Sequence, residues 1–157
     1  EQAKKLGLNA IKYADLSNHR TSDYKFSYDR MLQFEGNTAA FLSYAYVRIQ
    51  SIKNKIGKDI QAVIKDTTLE LKEPAEIQLA LALARFADVI KAFEKELLPH
   101  RITDYLYSVA EKFHTFFHHC RVEGSNEQDA RLLLCEATAR TLQTGFELLG
   151  LEPLEKM

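Results

Sequence analysis

Residues 15–52 read DLSNHRTSDYKFSYDRMLQFEGNTAAFLSYAYVRIQSI, and the second half of this stretch decides the fold. Leu42, Ala45, Ile49, Ile52 and Ile56 recur at alternating steps of three and four, the pattern of a helix that buries one seam against its neighbours. Phe41, Tyr44, Arg48 and Lys55 each sit one position earlier and form a second stripe, rotated from the first by about 100°. That stripe is aromatic at one end and basic at the other. Flat rings beside cations are what a protein offers an unpaired RNA base and its flanking phosphates. Taken alone, the rings read first as the packed margin of the seam, the commoner use of aromatics in that position.

Just before the helix stands Gln33-Phe34-Glu35-Gly36-Asn37-Thr38. Gly36 and Asn37 tolerate the left-handed backbone of a tight loop, and Thr38 suits a helix N-cap. The spacing thus predicts a compact loop feeding a helix over 38–56, with loop and aromatic stripe side by side.

Working outward, 3–16 reads as a helix with Leu6, Leu8, Ala10, Ile11 and Ala14 as its apolar positions. The polar cluster 17–23 ends it, because such side chains compete for backbone hydrogen bonds. Residues 24–28 alternate ring and polar like a short extended piece, but no partner strand is visible, so they read as a connector. A short helix over 28–32 follows. Beyond the break at Gly57-Lys58, residues 59–65 suggest another helical turn or two, and the region of Thr67-Thr68 is ambiguous.

Pro74 suits a helix start, and AEIQLALALARF over 75–86 is rich in strong helix formers. A partner helix over 88–97 is closed by Pro99. Two long helices are then expected, over 101–122 and 129–149. The first turns Leu106, Val109, Ala110, Phe113, Phe116 or Phe117, and Cys120 inward, and the second does the same with Leu132, Cys135, Ala139, Leu142, Phe146 and Leu149. Gly150 stands where a left-handed C-cap belongs, with Pro153 after it. No repeat of solenoid period is visible.

The chain has 157 residues, enough for one domain with a real core. With 6 Gly and 3 Pro it favours helices over a turn-rich β architecture. Lys and Arg total 21 against 22 Asp and Glu, a formal net charge of −1. Non-specific RNA affinity comes from phosphate neutralisation, so any RNA bound here has to be selected by local stacking and a few placed cations. Cys120 and Cys135 lack metal-ligand spacing and read as packed thiols in a reducing compartment. No signal-peptide pattern and no membrane-length apolar run occur, and the opening residues read as mid-helix, as though the chain began inside a larger protein.

Candidate chemistry is sparse. His114 and His118 share a helix face, but Cys120 lies about 200° round the helix from His118 and no fourth ligand is spaced for zinc. Lys91, Glu94, Lys95 and Glu96 read as a solvated face. There is no phosphate-cradling Gly-rich loop, no paired-histidine nucleotide motif and no nucleophile–base pair. No catalytic residue is assigned.

Several strings carry a resemblance. Lys12 to Ser17 (KYADLS), Asp23-Tyr24, Phe26-Ser27, Met31-Leu32, Gly36 to Ala39 (GNTA), Tyr44-Ala45 and Arg48 to Ile52 (RIQSI) resemble the segment of arginyl-tRNA synthetases that follows the catalytic domain. Pro99-His100, Tyr105-Leu106, Phe113, Phe116-Phe117, Arg131 to Ala137 (RLLLCEA) and Leu148 to Pro153 (LLGLEP) are similar to that family's carboxyl-terminal helices. The likeness is weakest over 57–72.

The resemblance implies an all-α helical bundle of the DALR anticodon-binding type. Residues 1–27 would be a connector following an absent catalytic domain, and 28–157 the anticodon-binding domain. It implies tRNA(Arg) as partner, with Gln33, Asn37, Phe41, Tyr44, Arg48, Phe117 and Met157 as RNA-binding residues. Phe117 stands where the family has a tyrosine, so the stacking face is kept and the hydroxyl lost. The parent enzyme would charge tRNA with arginine using ATP and Mg2+, in the cytoplasm and as a monomer, with no cofactor in this fragment. A different reading, a helical protein-interaction module docking partners through the pair over 75–97, predicts an apolar exposed surface there.

Overall fold

The computed structural model describes residues 1–156, and among these it has eight α-helices and no strand. They are α1 (Gln2–Leu16), α2 (Tyr28–Met31), α3 (Ala39–Ile56), α4 (Ile60–Asp66), α5 (Pro74–Ala84), α6 (Phe86–Glu96), α7 (His100–His119) and α8 (Gln128–Leu148). The all-helical expectation holds. α7 is the centre of the bundle, touching α5, α6, α8, α3 and α1, while α3 also packs on α8 and α1.

The seam of α3 is core as its spacing requires. Leu42, Ala45 and Ile49 are buried, and Ile52 and Ile56 pack against them from the margin. They meet Leu106, Val109, Ala110, Phe113 and Phe116 of α7 and Cys135, Ala139, Leu142 and Phe146 of α8 in one cluster. Each large side chain buried there contributes about 1.5–3 kcal/mol relative to exposure. Phe116, not Phe117, fills the inward place on α7; Phe117 is only partly buried.

Helix ends follow local chemistry. Thr38 caps α3, its Oγ1 accepting from Phe41 N at 3.2 Å and donating to the Gln33 carbonyl at 2.6 Å. Gly36 takes the left-handed backbone at φ 73°, as the loop needs. Gly150 does the same after α8 at φ 67°. Arg85 turns the chain between α5 and α6, so the second helix of that pair starts two residues earlier than its spacing suggested.

Two expectations fail. Helix α7 stops at His119 rather than reaching Val122: Cys120 is extended, and the chain turns so that Val122 is buried and the Arg121 carbonyl accepts from Arg131 Nη1 at 2.8 Å. Of the expected apolar positions of α1 only Ala10 is fully buried. Asn9, Ala10 and Tyr13 are buried, whereas Leu8 and Ile11 are exposed at 48% and 40%. Polar groups take the inside because they tie distant chain segments together. Asn9 exchanges two hydrogen bonds with the Glu152 backbone, at 2.7 and 3.1 Å. The Tyr13 hydroxyl donates to Asn37 Oδ1 at 2.5 Å and lies 3.0 Å from the Thr103 carbonyl. The outward Leu8 and Ile11 line a shallow apolar hollow with Tyr28 and Leu32, themselves exposed.

Cys120 and Cys135 are free and buried. Burial pushes the Cys135 thiol up to about 12, which leaves it protonated and inert at neutral pH. No helix among the described residues is long and apolar enough to cross a membrane.

Candidate nucleic-acid interface

Because the α3 seam faces α7 and α8, the stripe one position earlier emerges along the α3–α7 groove. Phe41, Tyr44 and Arg48 of α3 meet Ala110, Phe113, His114 and Phe117 of α7 there. The Arg48 guanidinium is sandwiched: its Cζ lies 4.4 Å from the Phe117 ring centroid and 4.7 Å from that of Tyr44. Such contacts are worth about 0.5–1 kcal/mol each at exposed sites. Arg48 Nη2 also donates to the Tyr44 hydroxyl. The planar cation therefore lies against both rings, with Tyr44 exposed and Phe117 partly buried.

Phe41 extends the strip, 5.6 Å from the Tyr107 ring and 6.3 Å from His114. Lys55, at the basic end of the stripe, is paired with Glu123 at 2.7 Å. Four of the expected residues, Phe41, Tyr44, Arg48 and Phe117, are thus brought together.

Gln33 and Asn37 are placed elsewhere. They line a polar cleft with Tyr13, Asn18, Tyr24, Lys25 and Arg30, at the foot of α3. Both ends of the Asn37 amide are already engaged, with Oδ1 accepting from Tyr13 and Nδ2 donating to Asp104 Oδ1 at 3.2 Å. Asn37 shapes the loop from inside, and Gln33 is the exposed one of the two. Met157 lies outside the described residues.

The model of the DALR anticodon binding domain matches residues 42–157. The chain belongs to that family. Among curated relatives, this DALR domain is 56% identical over 155 residues to the arginine–tRNA ligase of Protochlamydia amoebophila, covering 99% of the chain and 26% of the relative. It is 53% identical over 157 residues to that of Chlamydia abortus, covering 100% and 28%. Among solved structures, arginyl-tRNA synthetase from Plasmodium falciparum superposes with a TM-score of 0.88 at 39% identity over 99% of this chain and 28% of that one. The Thermus thermophilus enzyme gives 0.89 at 28% identity, covering 99% and 27%. The DALR domain spans about a quarter of the length of these relatives.

Sequence reasoning missed three members of the strip. Tyr107, His114 and His118 follow one another at steps of seven and four on the face of α7 that carries Phe117, so a periodic signal existed. It was hidden because the two histidines, offering no zinc spacing, read simply as packed or solvated imidazoles. No group of three metal-ligating side chains gathers among the described residues. The α5–α6 pair does expose Ile77, Leu81 and Leu97, but the comparisons lend no support to an interaction module.

Proposed function

We propose that this DALR domain serves an arginine–tRNA ligase by holding the anticodon loop of tRNA(Arg) along the α3–α7 strip. The observation that carries the reading is the Arg48 guanidinium lying between the Tyr44 and Phe117 rings on an open groove. With a formal net charge of −1 the domain has little general attraction for RNA, so stacking at about 1–3 kcal/mol per base has to supply the selection. Phe41, Tyr44 and Phe117 offer faces to displaced bases, Arg48 a phosphate or base contact, and Gln33 a polar contact from the loop before α3. Asn37 acts by fixing that loop.

Residues 1–27 are proposed to lead in from the catalytic domain, with the tRNA-binding domain over 28–157. The exposed apolar hollow of Leu8, Ile11, Tyr28 and Leu32 supports this, as does the fourfold greater length of the relatives. Arginine activation, with its ATP and Mg2+, belongs to that other domain, in a cytoplasmic and monomeric enzyme.

The test is a titration of the chain with an arginine-accepting tRNA transcript and with one changed only in the anticodon. Tighter binding of the intact anticodon is expected. Equal binding of both would move base readout out of this domain.

A further inference from the structure

Two imidazoles on the strip have no role in the reading above. His114 and His118 stand one turn apart on α7 with ring centroids 4.4 Å apart at an interplanar angle of 70°. His118 meets the Phe117 ring edge-on at 5.9 Å, and His114 shares the groove with Arg48. Both are exposed, and no hydrogen bond to either ring is found among the described residues. His114 is thus an unspent donor in the groove of the guanidinium, with His118 beside it.

We propose that His114 and His118 complete, with Arg48, a site for a backbone phosphate of the bound RNA strand, and that filling this site loads a proton onto the imidazole pair. The proposal rests on the tRNA-binding reading and specifies one contact within it.

The charged surroundings decide the direction. From α3 the group that bears on His114 is Arg48, with the Tyr44 phenol beside it; from α7 it is His118. Glu111, one turn earlier on α7, lies near the Tyr107 hydroxyl and raises its pKa. His119 turns back to its own helix, Nδ1 lying 2.8 Å from the Thr115 carbonyl, and lines with Lys112 a separate hollow against α5. Burial, His118 and Arg48 together hold the His114 imidazole below its ordinary value. Arg48 is therefore the fixed cation of the site, and a bound phosphate works against its effect on His114.

A phosphodiester is anionic at any pH in question. Set among three nitrogen groups, it favours the imidazolium by direct attraction and by accepting its second N–H. Binding of the RNA strand thus favours the imidazolium. This suits a domain whose net charge of −1 gives no standing attraction. Being a backbone contact, it positions the strand and is blind to base identity.

If binding raises an imidazole pKa, affinity rises as pH falls through the window between the bound and free values, by up to about tenfold per pH unit for one proton. The experiment is a tRNA titration at fixed ionic strength between about pH 8 and about pH 6, the range in which histidine titrates. It compares the wild-type chain with a His114→Gln, His118→Gln double variant and with Tyr44→Ala. Wild-type binding is expected to tighten on acidification, while the double variant gives a flat profile and binds about tenfold more weakly at the acid end. Tyr44→Ala weakens binding at every pH and keeps the slope. A flat wild-type profile, or a slope that survives in the double variant, overturns the phosphate site and leaves the anticodon reading in place. No binding by the wild type at any pH overturns both.

Discussion

Glu76 Oε1 accepts a hydrogen bond from Arg131 Nε at 2.7 Å, inside the bundle, where Glu76 is 1% exposed. The other carboxylate oxygen accepts from the backbone N–H groups of Lys72 and Glu73, at 2.7 and 2.9 Å. One side chain thus caps the start of α5 and ties it to α8. Arg131 Nη1 in turn donates to the Arg121 carbonyl, fixing the turn after α7.

Removing one partner strands the other's charge in the interior. Arg131→Leu or Glu76→Leu is expected to cost about 3–5 kcal/mol, and the double leucine variant less than the sum of the two. Urea unfolding of the four proteins checks this. Additive losses would mean that the two groups act separately.

Acid should weaken the same contact. Burial alone would raise the Glu76 pKa, but the Glu73 and Lys72 N–H groups and the Arg131 guanidinium outweigh it and hold the carboxyl below its ordinary value. Glu136 is likewise lowered, by Lys53 and Arg140 against the effect of burial. In both cases the folded state binds the proton less readily than the unfolded chain. Their contribution is therefore complete above the ordinary carboxylate value of 4.5 and is lost as pH falls through the lower folded value. Thermal unfolding across that range should show stability falling with acid, less steeply in Glu76→Gln. An equal slope in that variant would assign the acid sensitivity to other groups.

Gly145 lies in the last turn of α8, and glycine inside a helix costs about 0.5–1 kcal/mol relative to alanine. A Cβ there would come within 2.5 Å of both Leu106 terminal carbons, and Leu106 is fully buried. Gly145→Ala should therefore destabilise by about 1–3 kcal/mol despite its better helix propensity. Combined with Leu106→Ala the added methyl should become favourable, so a double-mutant cycle by denaturant unfolding gives a coupling of opposite sign to the single cost.

How legible the molecule was depends on what each segment packs against. The α3 seam was readable because Leu42, Ala45 and Ile49 meet neighbours on a single face, so burial and periodicity coincide. The α1 face was not, because Asn9 and Tyr13 are inside for hydrogen bonds to residues 143 and 24 positions away, which no local window contains. Leu8 and Ile11 supplied the periodic signal and lie on the outside. At the candidate site, Phe41, Tyr44 and Arg48 were legible from one helix, and Phe117 through the family resemblance. The slot they form depends on two helices crossing, which spacing alone does not give.

That outward apolar face makes its own prediction. Ile11→Lys should leave the isolated chain within about 0.5 kcal/mol of wild type, as for surface substitutions free of buried contacts. In the longer arginine–tRNA ligase proposed above, if the catalytic domain covers the hollow with Leu8 and Tyr28, the same change should lower aminoacylation. Loss of stability in the isolated chain would instead make Ile11 part of this domain's own packing.

Arg48 allows charge and shape to be separated. Lysine keeps the charge but not the flat guanidinium that lies between the Tyr44 and Phe117 rings. Arg48→Ala should weaken tRNA binding and reduce the slope of log K against log salt by about one, the signature of a lost phosphate contact. Arg48→Lys should keep the slope yet still lose affinity, because an ammonium neither stacks between the rings nor donates to the Tyr44 hydroxyl in the same plane. Measured against both, Phe117→Tyr should bind at least as well as wild type, since it keeps the stacking face and adds a donor. If Arg48→Lys matched wild type in both affinity and slope, the ring–guanidinium–ring stack would be irrelevant to binding and Arg48 would act as a point charge.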